Sequence, residues 1–152
     1  MSVLKSQRKE SKFEVFHHFY KMRKEITNLV YRNFGYKGTS DFERWLIDGE
    51  AKTVLNSLRE AQKFITLANS IFPVYLFECD ERRKFQDCAI GLHFQLLQEL
   101  QFILESLPID KNSYVRFAEM INKEIALLKG WRQSDNVIRK KIENKIENKK
   151  EG

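Results

Sequence analysis

Glu14 and His17 stand three residues apart, the Glu-x-x-His spacing with which helical bundles hold paired metal ions. Such a centre needs a second pair of the same kind and two further helix carboxylates. Ile90 stands three residues before His93, so the second pair is missing. His17 therefore reads as a solvated or helix-pairing side chain, and no metal is expected. His18 follows it directly and points elsewhere. His93 stands near an apolar stripe. A phosphotransfer histidine would have lysine and glycine close behind it, whereas Leu96 and Leu97 follow here. Arg82 and Arg83 lie too far before His93 for the compact arginine–polar–histidine pattern of a bundle ribonuclease. His93 thus reads as a satisfied structural histidine. No serine sits in a nucleophile turn, and no phosphate loop or dinucleotide fingerprint is present. Cys79 and Cys88 have no CxxC spacing and read as reduced thiols, Cys88 as a small core residue. These residue types predict neither an enzyme nor a cofactor.

The cations form the other chemical constellation. Arg82, Arg83 and Lys84 cluster at the head of one predicted helix, Lys129 and Arg132 lie one turn apart on another, and Arg139, Lys140 and Lys141 open a basic tail. Arginines in such clusters can fork onto phosphates. Ordinary pairing with Asp80, Glu81, Asp87 or Asp135 is the competing reading. The net charge is +6, and it resides in the ends. Residues 1–12 carry +3 and residues 139–152 carry +3, while 13–138 hold equal numbers of acidic and basic groups. Basic ends on a neutral body suit a polyanion such as RNA or DNA. Charged tails also serve solubility alone. Trp45 and Trp131 could stack on bases, but their spacing beside leucines reads as core or interface.

Four apolar stripes with helical spacing must position these groups. Val15, Phe19, Met22, Ile26 and Leu29 form the first. Ile47, Ala51, Val54, Leu58, Ala61, Ile65, Ala68 and Phe72 form the second. Phe85, Ala89, Leu92, Leu96, Leu100, Ile103 and Leu107 form the third, and Phe117, Ile121, Ile125, Leu128 and Trp131 the fourth. The predicted fold is all-α, an antiparallel up-down-up-down four-helix bundle. A capping box at Ser11–Glu14 starts helix 1. Gly35 and Gly38 stop it, and Thr39, Ser40 and Asp41 are candidate caps for the next helix. Pro73 and Pro108 mark later ends, and Asp110 or Asn112 caps helix 4. The helices are expected at about 12–33, 41–71, 80–106 and 111–133. A basic arm, 1–11, precedes the 12–135 bundle, and a charged basic tail, 136–152, follows it; Ile138, Ile142 and Ile146 recur every four residues and could extend helix 4, but so thin an apolar face is expected to fray without a partner. Gly49 lies within helix 2 and signals either a kink or a close neighbour. The length is that of one domain, no apolar run is long enough for a membrane span, and the polar start is unlike a secretory signal. A cytoplasmic protein with no membrane partner is expected.

Arg82-Arg83-x-x-Gln86-x-x-Ala89-Ile90, followed by Leu96-Leu97, resembles the third helix of the Avd-like four-helix-bundle proteins. Leu128-x-Gly130-Trp131-Arg132-x-Ser134-Asp135 is similar to the close of their fourth helix, and Ser11-x-Phe13-Glu14-Val15 to their opening. The likeness spans about residues 11–135. The small-residue motif of the related ribosomal-RNA intervening-sequence proteins is absent, which puts the chain nearer the Avd branch. Avd proteins are accessory subunits of diversity-generating retroelements. The resemblance implies a ring-like homo-oligomer, a pentamer, that binds reverse transcriptase and nucleic acid and supports mutagenic copying of template RNA without catalysing it. By position it makes Arg82, Arg83, Lys129 and Arg132 the phosphate or polymerase contacts, with Lys84, Arg139, Lys140 and Lys141 beside them. The neutral body departs from the strongly basic Avd barrel, so either the tails do that work or the chain mainly binds protein.

The alternative is a protein-only oligomeric adaptor. Phe13, Phe16, Tyr20, Phe34, Tyr36 and the apolar link Pro73–Phe77 would supply its docking surface.

Overall fold

The computed structural model describes the backbone of residues 2–151 and the side chains of residues 14–151. The described residues form five α-helices: α1 (Ser2–Tyr31), α2 (Asp41–Ser70), α3 (Leu76–Ser106), α4 (Asn112–Ser134) and α5 (Asn136–Glu151). A short turn, Asn33–Gly35, lies between the first two. The first four form an all-α bundle. Cross-helix pairs run in opposite sequence order: His18 meets Glu124 and Glu25 meets Arg116, while Phe64 stacks on Phe85. Neighbouring helices are therefore antiparallel. The start of α1, the end of α2, the start of α3 and the end of α4 share one end of the bundle.

The four stripes build one core. Phe19, Met22, Ile26, Leu58, Ile65, Ile103, Ile121, Leu128 and Trp131 are fully enclosed. Burying each such side chain is worth roughly 1.5–3 kcal/mol, which makes the shared face the main source of helix stability. The second stripe ends at Ala68. Phe72 lies past the helix and is exposed, because residues before Pro73 are pushed towards extended backbone. Trp131 is core, whereas Trp45, near the start of α2, is exposed.

Several helix bounds differ from the sequence expectation, each for a local reason. α1 passes through the Ser11–Glu14 pattern and begins at Ser2. No glycine or proline breaks residues 2–11, so nothing forces the non-helical conformation that a cap requires; the side chains of Ser11, Lys12 and Phe13 lie outside the described ones. α3 begins at Leu76, four residues before Asp80. Glu78, in its first turn, reaches back and accepts hydrogen bonds from the backbone N–H groups of Val74 and Tyr75, both at 3.0 Å. Ser40 caps α2 by accepting from Glu43 N at 3.4 Å. The Asp110 carboxylate accepts from Asn112 N at 3.0 Å and so serves the start of α4. The basic tail is helical through Glu151, in a helix of its own that follows α4 after Asp135. Ile138 and Ile142 are half-buried, Arg139 is tied to Asp80, and Lys149 and Lys150 suit the negative end of the helix dipole.

The turn after α1 is left-handed at Asn33, Phe34 and Gly35, with φ of 55°, 58° and 88°. This conformation is costly for phenylalanine. It is held because the Phe34 ring is fully buried and its carbonyl accepts from the Tyr114 hydroxyl at 2.8 Å. Gly38 is required by a close approach, since a Cβ there would sit 2.5 Å from the Tyr36 hydroxyl oxygen. A Cβ on Gly49 would meet nothing within 4 Å, so no close neighbour explains that glycine.

Candidate nucleic-acid interface

The candidate cations gather around the end of the bundle where α3 starts and α4 gives way to α5. Their surroundings divide them. Arg82 is 6% exposed. Its Nε and one terminal nitrogen donate to the two oxygens of Asp135 at 2.8 and 3.0 Å, and the other terminal nitrogen donates to the Ile71 carbonyl at 2.9 Å. The guanidinium lies 5.2 Å above the Trp131 ring, and Gln86 donates to the same carboxylate at 2.9 Å. Arg82 therefore joins the ends of α2, α3 and α4; three of its five N–H groups are engaged and the buried guanidinium is closed off from an outside phosphate. Arg132 donates to Asp87 at 2.7 Å, and Arg139 donates to Asp80. Both pairs are partly solvated and open at modest cost. Lys129 sits 5.4 Å from the centre of the Phe94 ring with its head in water. Arg83, Lys84, Lys140 and Lys141 are exposed. The acids weighed as partners thus take Arg82, Arg132 and Arg139 but not the lysines.

Aromatic side chains lie at the same end. Val74, Tyr75 and Phe77 are each more than 60% exposed, and the Tyr75 and Phe77 rings are nearly parallel, 8° apart with centroids at 5.8 Å. Leu76 between them is half-buried. Of the other aromatics assigned to a docking surface, Tyr20 is exposed and Phe16 is half-buried, whereas Phe34 and Tyr36 are buried and cannot serve. Phe13 lies outside the described side chains.

The histidines and the buried acids form a different, internal constellation. Glu14 and His17 are both exposed. His18, the neighbour, turns into the α1–α4 seam, where its Nδ1 and Glu124 Oε1 are hydrogen-bonded at 3.0 Å. Glu124 is wholly buried, and that burial pushes its pKa up to about 9. Burial also lowers His18, with Lys123 and Lys21 adding to the effect. His93 donates from Nδ1 to the Ala89 carbonyl at 2.7 Å and packs edge-on against Phe19, and burial brings its pKa down to about 4. Across α2 and α3, Glu50 is raised to about 7 by burial and then by its hydrogen bond to, and repulsion from, Glu99. Among the described residues no group of three or more His, Cys, Asp or Glu side chains is arranged to hold a metal ion. Cys88, expected as a small core residue, is only half-buried, while Cys79 is the buried thiol because it falls on the inward face with Arg82 and Gln86. Among the described residues no helix is long and apolar enough to cross a membrane.

The His18–Glu124 pair was not foreseen. Glu124 falls on the same helical face as Phe117, Ile121, Ile125 and Leu128, and an acid inside an apolar stripe is the signal that marks it. No family model, curated protein or solved structure matches this chain.

Proposed function

We propose that this chain is a non-enzymatic accessory subunit of a diversity-generating retroelement. In this reading it binds the element's reverse transcriptase and its template RNA or cDNA, and so supports mutagenic copying. The Avd-like motifs supply the identity of the system. The physical observation that supports nucleic-acid binding is the siting of charge. The body of the bundle is neutral, and the basic α5 leaves it at the end where the basic start of the chain also lies. Phosphate neutralisation by exposed lysines needs no pocket and no fixed geometry, which fits Lys84, Lys140 and Lys141. A ring-like homo-oligomer, a pentamer in the resembled family, would repeat this weak patch in each subunit and sum modest contacts into useful avidity.

The experiment is a titration of a structured RNA with the full-length protein at low and moderate salt, together with co-purification against the element's reverse transcriptase. Affinity should fall steeply with salt, because each neutralised phosphate releases counterions. Binding that is flat across salt, or absent, would sink the nucleic-acid part of the reading. Failure to co-purify would sink the polymerase part.

One observation favours the protein-only adaptor as the second reading. Arg82, Arg132 and Arg139 already hold carboxylates, while Val74, Tyr75 and Phe77 present apolar surface. In that case the chain would capture a protein partner and show no RNA binding at any salt.

A further inference from the structure

We infer that the strap before α3 is a stacking platform for single-stranded nucleic acid, with bases on Tyr75 and Phe77 and phosphates on the cations around them. The inference rests on the nucleic-acid reading and goes beyond it by naming the form of the ligand and its seat.

The strap is a fixed feature. Its backbone is pinned on one side by Glu78, which accepts from Val74 N and Tyr75 N, and on the other by Arg82, which donates to the Ile71 carbonyl. Two aromatic rings are thereby held parallel and outward, each more than 60% exposed. Exposed rings in a rigid mount lose little conformational entropy on binding, and their flat faces suit stacking. Aromatic exposure alone would fit many partners, and the surrounding charge chooses among them. Lys84 stands seven residues after Phe77 on α3, two helical turns along the same outward face and roughly 10 Å away. α5 reaches this end of α3 through Arg139, which donates to Asp80 one turn beyond Phe77. Exposed Lys140 and Lys141 follow directly. A pair of aromatic faces with lysines beside it suits stacked bases whose phosphates run on towards the cations. In a duplex the base faces are hidden within the stack, so only a single strand can use the rings. Glu81 shares the outward face between Phe77 and Lys84 and opposes the ligand, so it sets a charge that a substitution can reverse.

The test uses full-length protein with labelled single-stranded oligouridylate and an RNA duplex of equal length, read by fluorescence anisotropy at low salt. The single strand should bind about tenfold tighter or more, in keeping with roughly 1–3 kcal/mol for each stacked base. The Y75L/F77L pair should remove that preference while leaving the duplex affinity in place. Y75W should retain it, which separates stacking from bulk apolarity. E81K should strengthen binding to both forms. Circular dichroism and thermal melting confirm that the leucine pair is folded, as expected for two exposed side chains. Equal affinity for both forms, or an unchanged preference in Y75L/F77L, would overturn the platform while leaving the nucleic-acid reading standing. If wild type binds neither probe, both fall together.

Discussion

Arg82 on α3 and Asp135 at the end of α4 face each other through two hydrogen bonds, at 2.8 and 3.0 Å, with the arginine almost wholly enclosed. The fork fixes the place where α4 ends and α5 begins. It also ties the strap to the bundle through the Ile71 carbonyl. Removing one partner of such a pair leaves the other buried and uncompensated, which costs more than the pair itself contributes. Asp135→Ala is therefore expected to destabilise the bundle by about 3 kcal/mol in urea titrations. A variant that unfolds at the wild-type midpoint would show that Arg82 finds another partner.

The same fork explains why the candidate site was only partly legible in the sequence. Composition placed the cations, and helical spacing placed Arg82 near the head of α3. Neither could say that Arg82 lies on the inward face, because Leu76, Cys79, Gln86 and Ala89 mark that stripe only weakly as apolar. The choice between phosphate and carboxylate depends on Asp135, 53 residues away, and that distance closes only in the folded bundle. The bundle itself was legible, since strong stripes such as Ile47–Ala68 admit one inward face. The bounds of α1 and α3 were not. Ser11–Glu14 has the residue types of a cap without the chain break that makes one, and Glu78 supplies a cap behind a tyrosine.

Stability should depend on pH through the buried ionisable groups, with opposite signs. Glu124 keeps its proton to about 9 in the fold, against an ordinary 4.5. Its favourable contribution is complete below 4.5 and is lost as pH rises towards 9. Glu50, raised to about 7, acts in the same direction. His93, lowered to about 4 from 6.5, contributes stability that is present above 6.5 and lost as pH falls through 4. Maximum stability is expected in the mildly acidic range where the two effects oppose. Glu124→Gln keeps a hydrogen-bonding group beside His18 and removes the ionisation. It should flatten the alkaline decline, which for one group is at most about 1.4 kcal/mol per pH unit. Urea midpoints from pH 5 to 9 would measure this, and an alkaline slope equal to that of wild type would refute the assignment to Glu124.

The left-handed Phe34 turn should depend on its hydroxyl partner. Tyr114→Phe keeps the ring and removes the 2.8 Å hydrogen bond to the Phe34 carbonyl, leaving that acceptor buried. A loss of about 1–3 kcal/mol is expected. Hydrogen exchange should quicken at residues 33–36 before it does in α1. A uniform change in exchange along α1 would mean that the turn is not a separate point of weakness.

The paired arginines and the open lysines should separate in binding experiments. Arg132 shares its charge with Asp87 at 2.7 Å, and that pair is partly solvated. Arg132→Ala should therefore weaken RNA binding little and leave the salt slope nearly intact. Lys140 and Lys141 are exposed on a helix whose first turns are anchored by Arg139 and Asp80. K140E/K141E should weaken binding severalfold and reduce the salt slope by about two phosphate contacts, since each lost contact lowers the slope by roughly one. The double variant changes only exposed side chains, so its thermal melt should match wild type and the loss would belong to the ligand. If R132A instead abolishes binding and K140E/K141E leaves it unchanged, the anion site lies on the α3–α4 seam, and α5 serves solubility alone.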